Sequence, residues 1–229
     1  MENILVLLVF SLSPAVMVGA WFYYKDRTKE PVLLVFGAWL VGMVAVVPAS
    51  VLESLLLGLV GGRSHVLDAF VVVAALEEAF KFPVTCFFVR YSAGEEIYNG
   101  ILYGASVGLG FAALENVYYI SRFGMSVAVV IGRALTAVPL HGLCGAMMGF
   151  YISRGLRYGE RYSRLRAFLM PVLYHGSYNW GLFAGNLWGL FLVPLVLISL
   201  WRSILAEIKV SQTIDLARSI MRTKGGRGP

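Results

Sequence analysis

The chain has 229 residues, 59% of them hydrophobic and only 14% charged, with a mean hydropathy of +0.75. A soluble globular domain carries about 45–50% apolar and about 25% charged residues, and no core built from a chain of this length hides the surplus from water, so the composition excludes a soluble fold and points to an integral membrane protein. The net charge of +6 comes from bases in short loops and at the C-terminus, where the positive-inside rule puts them, which argues against a nucleic-acid partner; Cys86 and Cys144 lie in apolar segments as small hydrophobes, not as a disulfide framework or a metal pair.

Seven apolar segments of spanning length follow in chain order, at about residues 3–24, 32–57, 66–89, 97–121, 125–153, 167–184 and 186–205. A crossing of ~30 Å of hydrocarbon takes ~20 residues, and in lipid only a helix satisfies its own backbone groups over such a length. The pattern therefore predicts an all-α fold, a polytopic transmembrane helical bundle of about seven spans. The first segment, in MENILVLLVFSLSPAVMVGAWFYYKD, has no basic n-region and reads as a spanning helix, not a signal peptide. The sixth and seventh are joined through GNLWG with almost no loop.

Lysine and arginine set the expected orientation. KDRTKE (25–30) carries three bases and SRGLRYGERYSRLR (153–166) five, and Arg202, Lys209, Arg218, Arg222, Lys224 and Arg227 follow Trp201. The alternate loops are poor, with Arg63 in one and Arg122 in another; Arg90 opens a loop whose Glu95 and Glu96 count little. With seven spans the rich loops share one side, which places the N-terminus outside and the C-terminus inside. Residues 1–208 then form the membrane domain, and 209–229 a basic cytoplasmic tail, solvated or interfacial, that frays at KGGRGP.

In the fourth segment Gly100, Gly104, Gly108 and Ala112 recur every four residues, a small-residue ridge of the kind that lets helices approach closely in lipid; it leads to Asn116 beside Glu115. A charge at the bilayer centre costs at least ~2.5–3.5 kcal/mol, so intramembrane polar residues survive by pairing or by working. They are Glu53, Glu77, Glu78, Lys81, Glu115, Asn116, Arg133, His141, His175 and Asn179.

In ALEEAFKF (75–82), Glu77 and Lys81 are four apart with the glutamate first, the favourable order for an ion pair, while Glu78 lies ~100° around the helix without such a partner on its own helix. One carboxylate held by Lys81 beside another free to titrate suits a general base. Glu115 is expected near the outer end of its span, where its short stem snorkels poorly. His141 shares a face with Gly145 and Gly149, and His175 and Asn179 sit one turn apart, both able to donate to an oxyanion. Each residue alone admits a structural reading as helix glue. Four segments each bringing a glutamate or histidine into the core point to a site.

The stretches EEAFKF, FAALE, PLHGLCGAMMGFY and HGSYN resemble the PrsW intramembrane proteases, whose pattern is EExxK, then FxxxE, then HxxxD; the likeness covers about residues 14–183. The resemblance groups the chain with the CAAX prenyl proteases among glutamate-dependent membrane peptidases. It implies an endopeptidase of a bacterial or archaeal plasma membrane that makes the site-1 cut in a single-span anti-sigma factor, near its outer face, at the start of a stress response. Glu77, Glu78, Lys81, Glu115, His141, His175 and Asn179 are the implied catalytic set, with Glu77 favoured as base, Glu115 orienting the water and no cofactor. This chain departs from the family at Asn179 and Asn99, where aspartate is usual, so no carboxylate acts at either position.

Three alternatives stay open. Glu115, His141 and His175 could hold a catalytic zinc, although HExxH spacing is lacking. A Glu/Lys/His cluster could also relay protons or ions, but neither repeats nor paired broken helices are visible. A scaffold that had lost its chemistry would not need the intact glutamate and histidine set.

Overall fold

The computed structural model describes residues 2–92, 96–123 and 126–225, and among them it is helical with no strand. Glu95 and the predicted fraying of the last residues, Arg227 included, lie outside the described residues. The helices are α1 (Glu2–Lys25), α2 (Val32–Val60), α3 (His65–Leu67), a π-helical stretch (Asp68–Ala75) running straight into α4 (Leu76–Tyr91), α5 (Ile97–Phe123), α6 (Val127–Leu135), α7 (Ala137–Tyr158), α8 (Ser163–Phe183) and α9 (Leu187–Gly225). The all-α expectation holds. Val32–Val60, Ile97–Arg122, Val127–Tyr158 and Leu187–Met221 are long and apolar enough to cross a membrane by length and composition. Their outer faces are apolar and bare, as at Val47, Val51, Leu59, Phe191 and Leu195, which suits lipid and not water.

The central element is α5, of whose apolar stretch 94% is buried. Its small-residue ridge explains this. A side chain on Gly100, Gly104 or Gly108 would meet the carbonyl oxygens of Gly149, Gly145 and His141 on α7, and Gly145 and Gly149 face the Gly104 and Gly100 carbonyls in return. The two backbones therefore touch along three turns, the close approach that small residues permit in lipid. On the other side of α5, Gly42 of α2 meets the Val107 carbonyl and Gly110 meets that of Trp39. Of the two free cysteines, Cys144 is buried in this core and Cys86 half-buried.

Two local departures from regular helix shape the bundle. The predicted 125–153 span is broken at Thr136 (φ −124°, ψ −64°) into α6 and α7. Pro139 favours a break here, since its ring would crowd the carbonyl of Leu135 in a continuous helix, although Pro48, Pro83, Pro171 and Pro194 sit inside unbroken helices. The π stretch carries Phe70 across Gly176, where any Cβ would collide with the ring, and so seats this segment tightly on α8 just before Glu77.

The ends of several helices are tied together far from these polar residues. Asp215 of α9 accepts the backbone N–H groups of Ile97 (3.0 Å) and Tyr98 (3.1 Å) and pairs with Arg157 of α7 at 3.0 Å. Gln212 donates to the Lys25 carbonyl (2.8 Å) and Thr28 to Glu96 (2.9 Å). The base-rich loops thus gather at one end of the bundle. Asn99 lies there too, donating to Glu30.

Replacing Gly104 by valine is expected to lower stability by about 1–3 kcal/mol through overpacking, read as a lower unfolding midpoint in detergent. Gly58→Ala and Gly132→Ala, which meet nothing within 4 Å, should not lower the midpoint. An unshifted Gly104→Val protein would show that the α5–α7 contact does not determine the packing.

Candidate active site

The first turns of α4 present Glu77, Glu78 and Lys81 inward, with 4%, 0% and 0% of their surface exposed. An ammonium enclosed this fully must exchange its water for acceptors. Lys81 Nζ finds three: Glu78 Oε1 at 2.9 Å, Glu77 Oε2 at 3.2 Å and His141 Nδ1 at 2.9 Å. It also lies 4.0 Å over the ring of Phe111, which accounts for the phenylalanine of the FAALE stretch. The expectation that Glu78 has no partner on its own helix is corrected here. The i, i+3 spacing also brings side chains together, and Lys81 sits nearer Glu78 than Glu77.

The orientation of His141 follows from its partners. An ammonium has only hydrogens to offer, so Nδ1 accepts and Nε2 carries the proton. Nε2 donates to Glu115 Oε2 at 2.9 Å. The same Oε2 receives Nη2 of Arg133 at 2.8 Å. Glu115 is therefore no snorkelling carboxylate. It reaches the site through His141 and has Arg133 as its own counter-ion.

On α8, His175 Nδ1 donates to Glu78 Oε1 at 2.9 Å, leaving Nε2 facing Glu77 Oε2 at 3.9 Å. The Nδ1 of His141 is also 3.9 Å from Glu77 Oε2, and the two imidazoles stand edge to face with centroids 4.9 Å apart. Asn179, one turn beyond His175, is buried, and its amide nitrogen has no hydrogen-bond partner. A buried donor left unpaired costs stability, so this one is open to an acceptor.

Residues from four segments thus converge: Glu77, Glu78 and Lys81 from α4, Glu115 from α5, His141 from α7 and His175 from α8, with Asn179 one turn beyond His175 on the same helix. Sequence reasoning missed Arg133 as a member, although it stood among the intramembrane charges. Its signal was a basic residue on a short apolar segment with a carboxylate as the remedy. Asn99 is not a member. It precedes Glu115 by 16 residues on α5, roughly 24 Å at the helical rise.

Among the described residues, Glu77, His141 and His175 offer ligand atoms within 4.8 Å of one another. Two imidazoles and a carboxylate make a catalytic zinc set, and each imidazole is backed by a second carboxylate, Glu115 or Glu78, as metal-binding histidines are. The donors fit a divalent ion, with Glu77 in the place the sequence reading gave to Glu115. The Lys81 ammonium now holds the Nδ1 lone pair of His141 and would have to leave it.

A family profile described as PrsW family intramembrane metalloprotease matches residues 30–204. A protein named Protease PrsW from Geobacillus kaustophilus is 36% identical over 203 residues, 86% of this chain and 88% of that protein. One of the same name from Bacillus subtilis is 34% identical over 212 residues, 90% and 95% of the two chains. A third, from Oceanobacillus iheyensis, is 31% identical over 201 residues, 86% and 92%. No solved structure matches. With the profile spanning most of the sequence and the relatives matched over nearly their whole length, the chain belongs to the PrsW family of intramembrane proteases.

Proposed function

We propose that this multi-pass membrane protease hydrolyses a peptide bond by glutamate-activated water, without a metal in the step. Glu77 takes a proton from the water, whose oxygen attacks the scissile carbonyl. The Asn179 amide and an N–H of His175 donate to the oxyanion. The proton on Glu77 passes to the leaving amine as the C–N bond breaks, giving a carboxylic acid and an amine. Lys81 balances the charge of Glu77 and Glu78, and Glu115 holds His141 in its Nε2–H form beside the site. The observation that carries this reading is the placing of Glu77 Oε2: 3.9 Å from each imidazole nitrogen, 3.2 Å from Lys81, and on a carboxylate that keeps slight exposure while Glu78 has none.

For topology we take seven spans with the N-terminus outside, residues 1–208 as the protease and 209–229 as the cytoplasmic tail. The gathering of base-rich loops at one end supports this. Glu115 stands 18 residues along α5 from Ile97, about 27 Å from that end, so the chemistry falls towards the outer face. A single-span membrane protein cut near that face is the fitting substrate, and an anti-sigma factor, receiving its site-1 cut, is the substrate we assign.

The convergence of Glu77, His141 and His175 favours one second reading, a metal-dependent protease. A divalent ion held by those three would polarise the carbonyl and acidify a bound water. The description of the matching family as metalloproteases favours the same reading, in which Lys81 would leave His141 Nδ1 to the ion.

The test is cleavage of single-span anti-sigma factors, tagged at both ends, by the full chain in liposomes, with the cut mapped by mass spectrometry. Glu77→Gln and Glu78→Ala should each abolish cleavage while the protein still folds; full activity in either removes that residue from the step. Asn179→Ala should lower kcat by about 10²–10³-fold with little change in KM. Elemental analysis should find no stoichiometric metal, and a chelator should not slow the reaction; loss with the chelator and recovery with zinc would establish the second reading. Lys81→Met, which strands two buried carboxylates, should cost about 3–5 kcal/mol of stability, and adding Glu78→Gln should recover part of it. An undiminished unfolding midpoint in Lys81→Met would count against the ion-pair network.

A further inference from the structure

We infer that Arg133 is a positioning residue for the hydrolytic step, setting Glu115 and, through it, the orientation of His141; the inference rests on the hydrolytic reading above. None of the α6 residues is buried. Val127, Ile131 and Leu135, at successive i+4 positions, are 72%, 51% and 68% exposed, so this edge of α6 faces outward. Arg133 turns the other way and makes the hydrogen bonds from α6 to the site. Its Nε donates to Asn116 Oδ1 at 2.7 Å and its Nη2 to Glu115 Oε2 at 2.8 Å, while its guanidinium plane lies 4.0 Å over the Tyr119 ring. Asn116 is itself oriented, since its amide nitrogen donates to the Ser11 carbonyl at 3.3 Å and leaves the oxygen for Arg133.

A mere counter-ion would need only charge near Glu115. Two acceptors on adjacent residues plus an aromatic face instead match the planar fork of arginine, which lysine cannot reproduce. Glu115 Oε2 is shared between that fork and His141 Nε2, so the carboxylate cannot shift without moving the imidazole. The polar path runs Arg133, Glu115, His141, Lys81 and then Glu77, from an outer helix to the base.

The experiment uses the full chain in liposomes, the tagged anti-sigma factor panel, and Arg133→Lys and Arg133→Ala. Both variants should lose about 10–100-fold in kcat, the usual cost of removing an orienting partner, with KM close to wild type; the unfolding midpoint should hold in Arg133→Lys, which keeps the charge, and fall in Arg133→Ala, which strands Glu115. Guanidinium ion at low millimolar concentration should restore cleavage to Arg133→Ala, and ethylammonium at the same concentration should not. If Arg133→Ala fails to fold, Arg133→Lys decides, because it keeps the charge and loses the fork. An Arg133→Lys protein within about threefold of wild type, or an Arg133→Ala protein on which the two cations act alike, overturns the role. Glu77→Gln run alongside separates the failures. If it still cleaves, the hydrolytic reading falls; if it is inert while Arg133→Lys is unaffected, only the positioning role falls.

Discussion

One enclosed ammonium holds this site together. Glu77 and Glu78 follow each other in a segment otherwise made of apolar residues, and neither could stay charged there alone, because desolvating a carboxylate costs several kcal/mol. Lys81 supplies the opposing charge from the same helix and spends its three hydrogens on two carboxylates and an imidazole. That choice propagates. It fixes which nitrogen of His141 bears hydrogen, which faces Glu115, which in turn requires a cation of its own and finds Arg133. Three carboxylates and two cations thereby form one connected network in place of separate, weaker pairs.

The network depends on backbone spacing that side chains alone would not secure. His141 belongs to the seam in which α5 and α7 touch carbonyl to glycine, and its own carbonyl rests against Gly108. Glu115 lies seven residues beyond Gly108, two turns along the same seam. The distance from Glu115 to His141 is therefore set by main-chain contact between two stiff rods, which is how a helical bundle holds a site to within a few tenths of an ångström.

Much of this was legible in the residues. Periodic apolar runs gave the helices, and EExxK, FxxxE and the paired His175 and Asn179 marked the members contributed by α4, α5 and α8. What escaped was pairing across space. Helical angle alone sets Glu78 apart from Lys81, yet a lysine stem is long enough to serve positions three and four residues back. Arg133 carries no motif, and its partner Glu115 lies 18 residues away across a loop, so only the fold brings them together. The break at Thr136 falls three residues before Pro139, but proline alone does not mark it, because Pro48, Pro83, Pro171 and Pro194 sit inside continuous helices. The π stretch before Glu77 has no comparable signature, because an extra residue per turn is decided by what packs against the helix, here Phe70 on Gly176.

The carboxylate of Asp215 has a wider reach than its place near the C-terminus suggests. It caps the head of α5 from a helix more than a hundred residues away, occupying two amide groups that have no intrahelical acceptor and complementing the positive end of that helix dipole. Without it those amides would need another acceptor, and the rod that bears Glu115 would lose its anchor at the end far from that carboxylate. Integrity of the final helix thus bears on how firmly the rod that carries Glu115 is held at its first turn.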